Sequence, residues 1–311
     1  MLKRILLSVI AAPLMFSAVN YSYDAAGRLT KIDYGTNGSI NYTYDKAGNL
    51  LSRTALASSA TGSIITSVNT SGSPTSAGIA QNTWTEIKGV NLVPATAPAA
   101  GVIWSTASSF AQGLMPTQIV GVSVTVNGKP AYIYYYCSAA TSTCASDQVN
   151  VLSPLDNTTG PVQIVVTSGG TSSAPFTATM NSNVPSFFLF SGNYVVATHA
   201  NQSLLGPTSL YPGLSTPAAK NEVIVLWGTG FGLPSSGVVL GSSSQGGSLP
   251  VLPSCKIGTD NAPVAFAGLV APGLFQVNLT VPSTAATTGD RSMICTYNGT
   301  STPAADLVTA Q

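Results

Sequence analysis

The sequence predicts an all-β chain built around two homologous β units, and three observations carry that expectation. First, motifs recur in register. Val122-Ser-Val-Thr-Val-Asn-Gly-Lys-Pro-Ala131, Asp147-Gln-Val-Asn-Val151, Thr159-Gly160 and Gly169-Gly-Thr-Ser172 are echoed by Cys255-Lys-Ile-Gly258 with Ala262-Pro-Val264, Phe275-Gln-Val-Asn-Leu279, Thr288-Gly289 and Asn298-Gly-Thr-Ser301. Gln-Val-Asn returns after 128 residues (148 to 276), Gly-Thr-Ser after 129 (170 to 299), a register that marks duplicated units. Second, charged residues make up only 7 % of the 311, against about 25 % in ordinary globular chains. Gly, Ser, Thr, Ala and Val fill the space, as turn-rich β proteins require. Third, short apolar runs alternate with Gly, Asn and Pro punctuation throughout.

The elements follow in chain order. Residues 1–19 read as an export signal, with Lys3 and Arg4 ahead of an apolar run from Ile5 to Val19 that is too short for a comfortable membrane span. Phe16 weakens the cleavage site beside Ser17-Ala18, and a short N-terminal strand or a misplaced start is the alternative. Residues 20–54 hold a smaller repeat. Tyr21-Ser-Tyr-Asp-Ala-Ala-Gly-Arg-Leu29 matches Tyr42-Thr-Tyr-Asp-Lys-Ala-Gly-Asn-Leu50 at a period of 21 (21 to 42). Tyr-x-Tyr alternation predicts strands, Asp-x-x-Gly a turn in which Gly takes positive φ, and Gly35-Thr-Asn-Gly38 the return turn. Residues 55–80, almost uncharged and rich in Ala, Ser, Thr and Gly, read as a linker.

The first β unit is expected over 81–180, opening on Asn82-Thr-Trp-Thr-Glu-Ile-Lys-Gly-Val-Asn-Leu92, and the second over 221–311, opening on Asn221-Glu-Val-Ile-Val-Leu-Trp-Gly-Thr-Gly-Phe231. Between them, 181–220 reads as a connector. Phe187-Phe-Leu-Phe190 and Tyr194-Val-Val-Ala197 flank Ser191-Gly-Asn193 as a hairpin, packed at the junction because that much aromatic surface is costly in water.

Four cysteines fit an oxidising compartment. Cys137 and Cys144 can close a loop tip, and Cys255 and Cys295 can join neighbouring strands, so two disulfides are expected, 137–144 and 255–295. Metal binding is the weaker reading, with no Cys-x-x-Cys pair and one histidine.

Two families are resembled. Tyr23-Asp-Ala-Ala-Gly-Arg-Leu29 carries the signature of the YD (Rhs) repeat, whose long arrays form β shells; two units resemble a fragment of one, a sheet or a stalk. The strand, Gly-x-Gly/Asn-Phe/Leu, Val-x-Asn/Gly-Gly hairpin with Pro-Ala, and Gln-Val-x pattern resembles the IPT/TIG immunoglobulin-like domain. As a whole, 76–311 resembles the C-terminal module of large exported Acidobacteria proteins (the Solibacter type). Gly121–Ala131, Pro185–Phe188, Ala197–Ala200, Gly228–Gly232 and Ala267–Leu269 support the match, and the Cys137–Cys144 stretch departs from it. The resemblance implies two tandem immunoglobulin-like β-sandwiches behind a short YD hairpin region, in an exported setting, and no established activity.

Chemistry is sparsely supplied. His199 is the sole neutral-pH base, no Gly-x-Ser-x-Gly elbow is present, and the acidic residues fall mostly in turns (Asp24, Asp45, Asp156, Asp260, Asp290), where they cap backbone amides. No Asp-x-Asp cluster supports calcium. Gly228–Gly232 and Gly241–Gly247 read as turns rather than phosphate cradles. The paired amides Gln148/Asn150 and Gln276/Asn278 recur in both units and therefore read as scaffold, satisfying backbone groups where strands leave the sheet. The most suggestive stretch is Ala131-Tyr-Ile-Tyr-Tyr-Tyr136. With Ala131, Ile133 and Tyr135 inward, Tyr132, Tyr134 and Tyr136 form an outward row able to stack on sugars or anchor a protein; packing against the connector or the other unit is the alternative. Trp84, Trp104 and Trp227 read as core or junction residues.

A formal charge of +1 offers no field for nucleic acid or anionic membrane. The expectation is a secreted or cell-surface, non-enzymatic structural or adhesive module without cofactor. Its partner would be protein, itself included through poorly guarded sheet edges, or glycan through the Tyr row.

Overall fold

The computed structural model describes residues 19–33, 39–56, 62–72, 78–283 and 289–311. The export signal, apart from Val19, and the return turn at 35–38 lie outside the described residues. The chain divides into two compact units between Gly62 and Ser63.

The first unit is an antiparallel sheet of β1 (Asn20–Tyr23), β2 (Leu29–Asp33), β3 (Ser39–Tyr44) and β4 (Leu50–Leu56), paired in chain order. Both Tyr-Asp turns are built alike. The Asp24 carboxylate accepts the amides of Ala26 and Arg28 at 2.9 Å, and Asp45 accepts that of Asn49 at 2.8 Å. Gly27 and Gly48 follow at φ +77° and +94°, which is why glycine closes the motif. Arg28 adds the link between repeats: it pairs with Asp24 at 2.7 Å while its guanidinium lies 4.8 Å from the centre of the Tyr44 ring. No residue of this sheet whose burial is described is fully buried.

The second unit holds two hydrophobic cores, each between two sheets. In the first, β5 (Ile64–Thr70), β7 (Trp84–Val90), β11 (Asp147–Leu152) and β10 (Tyr132–Cys137) pair in the order β5-β7-β11-β10, with Val102–Ile103 (β8) at the far edge. They face β9 (Val122–Val126), β12 (Gly160–Ser168) and β13 (Phe176–Asn181), with β6 (Ile79–Ala80) beside β13. Alternation drives the packing. Val122, Val124 and Val126 of β9 point into a core shared with Ile87, Val149, Val151, Ile133 and Ile164, all at most 1 % exposed.

The other core repeats the plan. β14 (Ala197–His199), β15 (Val223–Thr229), β19 (Leu274–Thr280) and β18 (Val264–Ala271) pair as β14-β15-β19-β18, facing β16 (Ser254–Ile257), β20 (Gly289–Tyr297) and β21 (Leu307–Ala310), with β17 (Asp260–Ala262) beside β16. Phe187, Phe231 and Phe275 fill it, with Phe231 5.6–5.9 Å from the other two rings. The glycine run after β15 is a turn that delivers Phe231 to this core. Cys255 lies directly opposite Cys295, Cα atoms 4.0 Å apart, and the two are joined; so are Cys137 and Cys144.

Two boundaries differ from the expected ones. Residues 64–70 and 79–80, inside the stretch read as linker, are strands β5 and β6, with Ile65 and Ile79 in the core. Ser/Thr/Gly composition also describes this chain's strands, so composition does not separate linker from strand. Residues 197–199, inside the connector, are strand β14, bound to β15 on one side and through Thr198 to Leu204 on the other. The hairpin before it is present, with Phe190 N–H donating to the Tyr194 carbonyl at 2.7 Å.

Candidate functional site

The aromatic residues gather at one place on the outer face of the β5-β7-β11-β10 sheet. Trp84, Glu86 and Lys88 project outward from β7 because Thr85, Ile87 and Gly89 face the core. Asn150 lies opposite Glu86 on β11 and so shares that face. On β10 the pairing slips between Ile133 and Tyr135, leaving Tyr134 as an extra residue in a bulge. The bulge turns Tyr134 toward Trp84, ring centres 4.9 Å apart, and toward Trp104 at 5.0 Å. Trp104 follows β8 in a 3-10 turn and stacks on Phe110 at 4.8 Å, and the two tryptophans lie 5.5 Å apart.

The bulge also corrects the expected Tyr row. Ile133 and Tyr136 fall on the same, inner side: Tyr136 is 1 % exposed in the core, and it is Tyr135 that points outward, its hydroxyl donating to the Ala100 carbonyl. Tyr132 is on the outer side but covered, packed with Met115 and Leu152 beneath the other half of the unit. Burial pushes the phenols of Tyr132 and Tyr136 above the usual range. Of the three expected contacts, Tyr134 alone opens onto a cleft. Trp84 and Trp104, assigned to the core or junction, do lie near the junction, half-buried, with ring faces on that cleft. A strict two-residue alternation does not contain a bulge, and the phase error follows from it.

The cleft measures about 530 Å³, within the range typical of small-ligand sites. Its floor is Trp84, Glu86, Asn150 and Tyr134, with Trp104 as one wall; Phe188 of the connector and the β18–β19 turn, Ala271 to Leu274, form the opposing lip. The lip sits close. Gly273, at φ +65°, lies where a Cβ would stand 2.4 Å from Leu152 Cδ1 and 2.9 Å from Trp84 Nε1. Hydrogen bonds hold the two halves in this pose: backbone bonds from Met115 N–H to the Gly241 carbonyl and from Ser243 N–H to the Gly113 carbonyl, both 2.8 Å, and Trp84 N–H to the Thr229 side-chain Oγ1 at 3.0 Å.

The polar groups of the cleft are few and oriented. Lys88 Nζ binds Glu86 Oε1 at 2.7 Å, and Gln148 Nε2 donates to Asn150 Oδ1 at 2.9 Å. Among the described residues this leaves Glu86 Oε2 as an acceptor and Asn150 Nδ2 as a donor. The same amide pair recurs as Gln276 Nε2 to Asn278 Oδ1 at 2.8 Å, so these amides bind each other along one strand rather than the backbone.

Several titratable groups elsewhere among the described residues serve the scaffold. His199 Nδ1 binds Glu222 Oε1 and its Nε2 faces the Thr216 carbonyl and hydroxyl, so the lone histidine ties β14 to its neighbours. Asp147 accepts the amides of Leu92 and Ala139, anchoring the Cys137–Cys144 loop. Asp156 is held well below the usual carboxylate range, chiefly by the Asn127 amide, with Thr158 and Lys129 adding to it. Among the described residues no group of three or more His, Cys, Asp or Glu side chains could hold a metal ion, and no helix is long and apolar enough to cross a membrane.

Residues 23–63 match the RHS Repeat family model. No curated protein matches the chain. Among solved structures, the chain is similar to the Bacteroides ovatus SGBP-B of a mixed-linkage glucan utilization locus, in complex with a mixed-linkage heptasaccharide: 12 % identity over 90 % of this chain and 52 % of that one, TM-score 0.34. SGBP-B from a xyloglucan utilization locus in Bacteroides uniformis matches at 15 % identity over 80 % and 48 %, TM-score 0.23. The Yersinia pseudotuberculosis adhesin InvE matches at 13 % over 78 % and 58 %, TM-score 0.20. The chain spans about half the length of these structures, and overlays this loose carry no inference about ligand.

Proposed function

We propose that this chain is an exported, non-enzymatic binding module that holds a glycan in the cleft of Trp84, Trp104 and Tyr134. The observation that carries the reading is the clustering of three aromatic rings, all within 5.5 Å of one another, around a cleft with two polar groups at its floor. Pyranose rings present apolar C–H faces and a hydroxyl rim. They gain most from an aromatic surface beside a small number of placed hydrogen-bonding groups. A catalytic role has no comparable support: Glu86 is the one carboxylate among the described lining residues, whereas glycosidic hydrolysis canonically uses a pair. Two disulfides and the basic-then-apolar N-terminus support export.

A glycan array followed by calorimetry tests the reading. Wild-type protein should bind at least one polysaccharide class, and Trp104→Ala and Tyr134→Ala should each weaken binding by about 2 kcal/mol, some thirtyfold, while circular dichroism shows the β fold retained. Trp104→Ala should lower the unfolding temperature, because its ring packs against the first core. Silence across plant and bacterial glycans overturns it.

A structural and self-assembling role is the second reading, favoured by one observation. The first sheet ends on β1 and β4, where Tyr21, Tyr23, Leu50 and Leu51 are 54–66 % exposed. Light scattering at high concentration should then show association that Leu51→Lys abolishes; monomers throughout count against it.

A further inference from the structure

We infer that the cleft selects uncharged glycans with vicinal hydroxyls and rejects their uronate counterparts, through Glu86. The inference rests on the carbohydrate reading above and names the class that reading leaves open.

Glu86 and Asn150 are directly opposed across β7 and β11, so their side chains emerge as neighbours from one face. Each has half its capacity taken by the protein. Lys88 engages Glu86 Oε1 and Gln148 engages Asn150 Oδ1, which leaves an acceptor beside a donor. A hydroxyl both donates and accepts. Two adjacent hydroxyls on one ring therefore satisfy the pair at once, one donating to Glu86 Oε2 and the other accepting from Asn150 Nδ2. The ring's C–H face is then free to lie on Trp84, Trp104 or Tyr134.

The same floor excludes carboxylates. Among the described residues Glu86 is the sole charged one lining the cleft, and they supply no cation to the lining. Lys88 is committed to Glu86 and lies outside the lining. A uronate would bring a second negative charge to an apolar, partly enclosed cleft, where repulsion is poorly screened. Neutral rings meet no such penalty.

Calorimetry at neutral pH on the full chain separates the possibilities, using cellohexaose, laminarihexaose and mannohexaose and each one's C6-oxidised counterpart. The neutral member of a pair should bind at least about tenfold tighter. Glu86→Gln should shrink that gap by admitting the oxidised sugar while the neutral one loses only a few-fold. Trp104→Ala should weaken both. A uronate that binds wild type as well as its neutral parent overturns the inference, as does a ratio unmoved by Glu86→Gln. Those outcomes leave the carbohydrate reading standing. Failure of all six sugars to bind overturns the inference, and silence across the whole glycan array overturns the carbohydrate reading with it. Indifference of a bound sugar to Trp104→Ala overturns both.

Discussion

The two cores of the second unit are copies down to individual hydrogen bonds, yet they differ where it matters. In one, Thr167 and Ser172 hydroxyls meet at 2.8 Å and Ser173 Oγ accepts Val166 N–H; in the other, Thr296 and Ser301 meet at 2.8 Å and Thr302 Oγ1 accepts Cys295 N–H. Val124 faces Val166 at the place where Cys255 faces Cys295. What persisted through duplication is the satisfaction of the backbone, since a strand whose polar groups lose partners is lost as a strand. What diverged is free of that duty. One copy spends a buried cross-strand pair on a disulfide. The other turns a tyrosine outward through a bulge and recruits two tryptophans to it.

The largest expected effect tests the diverged pair. The Cys255–Cys295 bridge closes a separation of 40 residues, which by loop entropy stabilises the fold by about 4 kcal/mol. Replacing both cysteines with Ala should cost at least that in denaturant unfolding, because two buried side chains also shrink. Replacing both with Val should recover part of the loss, since a Val pair already fits the equivalent place in the other copy. No difference between the Ala and Val doubles would break the equivalence.

A smaller effect separates the copies by pH. Asp306, just before β21, is 1 % exposed, Oδ2 has no partner among the described residues, and burial raises its pKa to about 7. In the unfolded chain it titrates near 3.8. Between those values the folded state keeps a proton that the unfolded chain has lost, so stability falls as pH rises from about 4 to about 7 and is flat above. Asp306→Asn should remove that fall and stabilise the protein above pH 7 by on the order of 2 kcal/mol. Chemical denaturation at pH 5 and pH 8 reads it, and an equal effect at both would sink the assignment.

The smallest effect sharpens the comparison most. Asn150→Ala and Asn278→Ala each remove the same short-range amide bond, so each should cost about 1 kcal/mol of stability. Asn150→Ala alone should also weaken glycan binding, because its counterpart lies outside the cleft lining. Equal effects on binding would return both amides to scaffold.

The YD turns, the duplicated unit and the Cys137–Cys144 loop tip were legible from residue order, because each rests on local geometry or on spacing repeated within the chain. The Cys255–Cys295 pairing followed only once their strands were read as neighbours. The outward Tyr row was half legible. The run of aromatics from 132 to 136 marked the right strand, but a bulge reversed the faces of Tyr135 and Tyr136, and bulges leave no composition of their own. Trp84 and Trp104 carried a signal only in being rare, half-polar rings beside strand ends.

The sequence by itself determined the all-β class, the turns, the copies and the short Cys137–Cys144 link, since periodicity, glycine conformation and short cysteine spacing act between near neighbours or between like segments. Tertiary structure alone decided the site. The cleft exists because a bulge in β10, a 3-10 turn after β8 and a glycine turn from the other copy meet at one face. Residues 84, 104, 134 and 272 share no period, so proximity among them follows only from how the sheets pack.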